Sequence, residues 1–275
     1  MKVSRITVAA VSAVTAVGLA ACGSGTSGGS GSGGSGGSIK VGIKFDQPGL
    51  GLKTGSTYSG FDVDVANFIA KELGSTPQFV EAVSSQRETL ISSGQVQYVV
   101  GTYSITDARK QKVSFAGPYF IAGQDLLVRA DDSSISGPDS LTGKKLCSVK
   151  GSTSAANLQK KYPGVNLQEY NTYTLCVDAL KAGSVDALTT DNTILAGYAA
   201  QEQNKGKLKV VGKTFSTEKY GVGLKKGDTA LCTKITTALN KFIDSGEWKK
   251  SVDKYLGPAG FTPGEGNPPK PEACS

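Results

Sequence analysis

Val99-Val100-Gly101-Thr102-Tyr103-Ser104-Ile105-Thr106-Asp107-Ala108-Arg109 is the stretch on which the rest of this 275-residue chain turns. It opens as the end of a buried strand and closes in hydroxyls, an acid and a fixed cation. Gly101 permits a close backbone approach at the strand's end. Thr106 has the chemistry of a helix N-cap, Asp107 suits the first turn, and Arg109 falls three residues after the cap. A guanidinium beside free helix N–H groups is a site for a carboxylate. Thr102 and Ser104 lie one strand period apart, which places both side chains on one side. There the Ser104 hydroxyl and the Thr102 carbonyl can accept hydrogen bonds from an ammonium. A carboxylate clamp next to ammonium acceptors suits an α-amino acid. The plain alternative is a surface turn whose arginine pairs with a nearby aspartate.

Working outward, Gly60-Phe61-Asp62-Val63-Asp64-Val65 precedes a helical run to Leu73, and Phe115-Ala116-Gly117-Pro118-Tyr119 follows. In this order the blocks resemble the bacterial extracellular solute-binding proteins, family 3, which serve polar amino-acid ABC importers. The resemblance covers roughly residues 39–256 and is strongest to actinobacterial glutamate-binding lipoproteins. It implies an α/β, two-lobe periplasmic-binding-protein fold (type II), its lobes joined by two crossing strands. Lobe I would take residues 39–125 plus 216–275, and lobe II residues 126–215.

Composition narrows the chemistry. The chain holds no histidine, which excludes histidine general acid–base catalysis, Ser-His-Asp triads and histidine-ligated metals. The formal net charge is +7, and losing Lys2 and Arg5 with a leader lowers it to +5. That charge is dispersed, so nucleic acid is not an expected partner. No cofactor and no metal are expected. Residues 1–22 read as a lipoprotein signal: Lys2 and Arg5 precede an apolar run from Ile6, which ends in Leu19-Ala20-Ala21-Cys22. That ending resembles a bacterial lipobox, in which Cys22 is diacylated and carries the membrane anchor. An ordinary signal peptide with an incidental cysteine is the alternative. Residues 23–38 hold only Gly, Ser and one Thr, a flexible tether with a reach of roughly 20–24 Å.

Ile39 to Ile43 alternates as a first strand, and Lys44 follows at its carboxyl end, where ligands of open α/β sheets bind. Phe61 to Leu73 has helical period, and Gln78 to Val80 reads as the second strand. Arg87 follows that strand and opens a helix containing Leu90 and Ile91. The resemblance implies that Lys44 and Arg87 face the ligand side chain, where two cations suit a distal carboxylate. The alternatives are a solvated Lys44 and an Arg87 paired with Glu81 or Glu88. Gly151-Ser152-Thr153-Ser154 forms a strand–turn–helix anion cradle, and Thr153 best matches the family's second carboxylate contact. The cradle lacks a P-loop's GK[ST] ending. Asp191 emerges at the end of a buried strand, and the resemblance implies that it neutralises the ligand ammonium from the second lobe, with Thr190 touching the side chain. Val210 to Phe215 reads as a return strand, Trp248 as a packing residue, and the tail after Leu256 as extended.

With Cys22 acylated, four cysteines remain, and an oxidising compartment pairs them in one of three ways. Cys147–Cys176 within the second lobe and Cys232–Cys274 tying the tail to a terminal helix are favoured, since neither crosses the hinge. A four-cysteine zinc site is the alternative, but the spacings lack close pairs. The reading is a monomeric, lipid-anchored binding protein that delivers glutamate to ABC permease subunits; aspartate, glutamine and asparagine remain open. A ligand-sensing receptor and a small-acid dehydratase or lyase on the same fold are the rival classes. The missing histidine and the lack of a clear buried carboxylate pair speak against the enzyme. Cys22→Ala is expected to release the protein from membranes, and recovery of the variant in the membrane fraction would overturn the lipobox reading.

Overall fold

The structure is a computed structural model, and it describes residues 37–275. The leader, Cys22 and residues 23–36 of the tether lie outside the described residues. Strand β1 (Ser38–Ile43) begins one residue inside the expected tether, because Ser38 already pairs with Thr76. A small antiparallel unit follows, built from β2 (Asp46–Gln47), β3 (Gly51–Thr54) and β4 (Thr57–Ser59). Next come α1 (Phe61–Glu72), β5 (Thr76–Glu81), α2 (Arg87–Ser92), β6 (Tyr98–Val99) and α3 (Asp107–Lys110). The apolar face of α1 carries Phe61, Val65 and Ile69 into the core, as the helical period requires.

β7 (Val113–Ala122) is almost wholly buried, and only Gly123 separates it from β8 (Gln124–Arg129). A Cβ at Gly123 would lie 2.8 Å from the Thr214 side chain and 2.9 Å from the Ser216 carbonyl. Only glycine lets the outgoing chain pass the returning one this closely. The second sheet gathers β8 with β9 (Lys145–Val149), β10 (Asn166–Tyr170), β11 (Ala187–Asp191) and β12 (Leu208–Val210), in the order β10-β9-β11-β8-β12. Its helices are α4 (Thr153–Lys161), α5 (Tyr173–Lys181) and α6 (Asn192–Ala199). Ser152 caps α4 by accepting the Ala155 N–H at 3.0 Å.

The chain returns through β13 (Glu218–Lys225), antiparallel to β7, which completes a first sheet of order β5-β1-β6-β13-β7. α7 (Thr229–Asp244) and α8 (Glu247–Tyr255) then pack beneath it. Trp248 is buried there, stacked on Phe120 and edge-on to Phe61, with its indole N–H donating to the Tyr119 carbonyl. The expected return strand over Val210 to Phe215 is corrected: pairing with β8 stops at Val210, and Gly212 turns with φ +80°.

The tail covers the free edge of β7. Phe115 and Ser275 exchange backbone hydrogen bonds, Glu272 N–H reaches the Gly117 carbonyl, and the Asn267 amide bonds both polar groups of Ile121. An uncovered edge strand invites pairing with other chains. Both favoured disulfides are present: Cys147–Cys176 joins β9 to α5, and Cys232–Cys274 joins α7 to the tail. Losing either bridge is expected to cost about 2–4 kcal/mol by denaturant unfolding. Thiol titration of the unfolded, unreduced chain should find no free cysteine among the four.

Candidate functional site

The site begins at Asp62, the second residue of α1, which is fully buried. Its Oδ2 accepts the Thr102 N–H at 2.9 Å and its Oδ1 accepts the Tyr119 hydroxyl at 2.9 Å. Burial pushes this carboxyl up to about 6 against the pull of both hydrogen bonds. Thr102 is held at φ +44°, the only left-handed residue other than glycine among those described. The expectation that Thr102 and Ser104 face the same way is therefore corrected. Beyond β6 the chain turns rather than running extended. Thr102 Oγ1 pairs with Gln47 at 3.1 Å, while Ser104 Oγ lies 3.3 Å from Thr153 Oγ1.

That turn presents carbonyls to two arginines. Arg109 follows the Thr106 cap as the sequence implies, with its N–H bonded to Thr106 Oγ1. Its Nη1 donates to the Ser104 carbonyl at 2.8 Å and its Nη2 to Gly151, on the second-sheet side, at 3.0 Å. Glu88 lies 3.7 Å from its Nε. Arg87 thus does not take Glu88 as its partner. Its Nε and Nη1 donate instead to the carbonyls of Ser84 and Gly101, and no carboxylate lies within ion-pair distance among the described residues. Burial, then the neighbouring Arg109 charge, lowers the Arg87 guanidinium to about 10. Lys44 is not a solvated loop residue: it is 1% exposed, its Nζ has no hydrogen-bond partner, and it stands 5.9 Å above the Tyr173 ring. Burial lowers it to about 8, with Asp46 opposing and Arg87 adding to the fall.

From the second sheet, Asp191 accepts the Tyr220 hydroxyl at 2.6 Å through Oδ2, while its Oδ1 has no partner. Burial, then the Glu218 charge, raises it to about 7. The Thr190 hydroxyl beside it is buried without a partner. Tyr220 and Glu218 are two residues that the sequence reading did not place near Asp191; Glu218 is a buried carboxylate that accepts from Ser216 and Asn157, and its charge acts on Asp191. Their signal was alternation on β13: Glu218 and Tyr220 turn inward around exposed Lys219. The eight candidate residues thus come from both halves, which touch where Ser104 meets Thr153 and Arg109 meets the Gly151 carbonyl. Seven of them are buried, and Thr153 is partly so. Thr102 is the exception in role, since its hydroxyl is spent on Gln47.

The sequence profile of the bacterial extracellular solute-binding proteins, family 3, matches residues 39–258. This chain belongs to that family. It is 43% identical over 245 residues to the glutamate-binding protein GluB of Corynebacterium glutamicum, covering 84% of this chain and 82% of that one. It is 38% identical to the glutamine-binding protein GlnH of Bacillus subtilis, covering 79% and 81%. An ancestral arginine-binding protein, solved bound to glutamine, superposes with a TM-score of 0.76 at 35% identity, covering 80% of this chain and 98% of that one. The fold is the two-lobe, type II periplasmic-binding-protein fold, and the chain is a substrate-binding protein for amino acids.

The Asp191 carboxyl makes a stability prediction. Its value rises from 3.8 to about 7 on folding, so the native chain holds a proton that the unfolded chain has lost. Stability is intact below the unfolded value and falls as pH climbs through that window. Without ligand, Asp191→Asn should exceed wild type by roughly 2–4 kcal/mol at about pH 7.5 and by little at about pH 4. Urea unfolding at the two pH values checks this, and an equal difference at both would refute it.

Proposed function

We propose that this chain is the lipid-anchored, extracytoplasmic glutamate-binding protein of an ABC importer, and that it binds its ligand without transforming it. One observation carries the reading: two cations, Lys44 and Arg87, are buried and act on one another's charge, with no carboxylate in salt-bridge reach of either among the described residues. A ligand with a second carboxylate supplies what both lack. Arg109, with Thr153 and Ser104, takes the α-carboxylate. The unpartnered Oδ1 of Asp191 and the Thr102 carbonyl take the ammonium, and Thr190 touches the side chain. The names of the relatives above support an amino-acid ligand of this size and polarity. Lobe I, residues 39–125 plus 216–275, and lobe II, residues 126–215, close on the ligand because only the closed form offers contacts from both sides. Cys22 and the tether keep the loaded, monomeric protein near its permease, raising its effective concentration.

The test is calorimetry with glutamate and glutamine across pH. Asp191 must be ionised to hold the ammonium, so both ligands should weaken as pH falls below about 7. Lys44 must be protonated to hold a distal carboxylate, so glutamate alone should weaken above about 8. Arg87→Ala should cost glutamate on the order of 2–4 kcal/mol and glutamine far less. A glutamate-to-glutamine ratio unchanged in both Lys44→Ala and Arg87→Ala would make the ligand a neutral polar amino acid.

A further inference from the structure

Tyr103 lies between the two hydroxyl residues of the opening stretch, yet no role was read for it. Its side chain is fully buried, and two guanidinium groups share its ring. Arg87 Cζ stands 4.2 Å from the ring centroid and Arg109 Cζ stands 4.9 Å from it. The two arginines come from different helices, α2 and α3, and their like charges act on one another in a buried site. Left to themselves, two such groups separate until water or an acid intervenes. Here only Arg109 has an acid near, Glu88, and at 3.7 Å. The negative face of an aromatic ring attracts a guanidinium, more strongly where water is excluded. One ring facing both offsets part of their repulsion and fixes their spacing.

The ring has a built seat. Phe115 packs edge-on against it with centroids 4.9 Å apart. On β13, Gly223 leaves the space: a Cβ there would stand 2.6 Å from Tyr103 Cε1 and 2.8 Å from Cδ1. The hydroxyl, by contrast, is buried near Glu88 and makes no hydrogen bond of good geometry among the described residues. What the site uses is the π-face, not the phenol.

We infer that Tyr103 is a positioning and specificity-determining residue: its ring holds Arg87 and Arg109 at the spacing that reads an amino acid with two carboxylates. The inference rests on the assignment of these arginines to the ligand, and its test separates the two. Glutamate and glutamine are titrated into wild type, Tyr103→Phe, Tyr103→Leu and a variant with pentafluorophenylalanine at 103. The fluorinated ring keeps the shape of Phe and reverses its quadrupole. Tyr103→Phe should stay within about twofold of wild type for both ligands. Tyr103→Leu and the fluorinated variant should lose on the order of tenfold for glutamine, through Arg109, and about a hundredfold for glutamate, through both arginines. Equal loss for the two ligands, or a fluorinated variant that behaves like Phe, overturns the inference. A ligand-free readout covers the case in which wild type binds neither ligand, which would sink the proposed function alone. In a double-mutant cycle of Tyr103→Leu with Arg87→Ala, the shifts in urea midpoint should be non-additive. Additive shifts overturn the stacking itself.

Discussion

The Asp62 carboxylate is the group on which the geometry of the candidate site depends. It is buried in the first turn of α1, where the helix N-terminus favours a negative charge, and it accepts hydrogen bonds from Thr102 N–H and from the Tyr119 hydroxyl. Together these tie three segments to one carboxylate: α1, the turn after β6, and β7. A left-handed Thr102 is costly by itself and persists because its N–H has an ionic acceptor in place. The consequence is electrostatic. Turning the chain at Thr102 brings the carbonyls of Gly101 and Ser104 within 3.1 and 2.8 Å of Arg87 and Arg109. Both buried guanidiniums thereby acquire neutral acceptors. Arg109 also has the Glu88 carboxylate 3.7 Å from its Nε, whereas Arg87 is oriented by carbonyls alone and faces no carboxylate at ion-pair distance among the described residues.

The second constraint is close approach between the halves. A Cβ at Gly151 would stand 2.8 Å from Ser85 Cα, and one at Gly197 would stand 2.1 Å from the Pro48 carbonyl. Both glycines lie where a second-sheet segment meets a first-sheet loop. Asp46 works beside them: its carboxylate accepts the Tyr173 N–H at 2.8 Å, at the start of α5, and its carbonyl accepts the Tyr198 hydroxyl. An anion placed on a helix N-terminus across the interface adds a charge–dipole attraction to the contact. These contacts surround the site and remove its polar groups from water, which strengthens every charge interaction inside.

Legibility in the sequence followed the range of the physics. Thr106 and Arg109 were readable because an N-cap acts over three residues, and the structure places both as read. Lys44 and Arg87 were marked by their place after strand ends, and the structure buries both there, Arg87 against carbonyls and Lys44 over the Tyr173 ring. The left-handed Thr102 was not, because its cause, Asp62, lies forty residues upstream and the local pattern alternates like a strand. The same turn hid Tyr103, which strict alternation places away from the ligand side. Glu88 was set against Arg87, its neighbour in sequence, yet it lies against Arg109, brought up by another helix. Tyr220 reaches Asp191 only because β13 crosses back beside β7, a fact of topology rather than of local pattern.

The perturbed groups show what burial costs the candidate site, and under the proposed function they link binding to closure. Burial lowers Lys44, raises Asp191 and lowers Arg87, so each group is held against its own preferred charge state or its hydration. That is a cost of burial itself. Under the proposed function, a zwitterion with a further carboxylate would oppose these shifts, its ammonium lowering Asp191 and its distal carboxylate raising Lys44. The free energy recovered would then depend on all the groups around the ligand together, because water competes with each of them when they are apart. On that proposal affinity and closure share one source. Discrimination follows from it as well, since a ligand that lacks one of the charges leaves one buried ion uncompensated, and an uncompensated buried ion costs more than a lost surface contact.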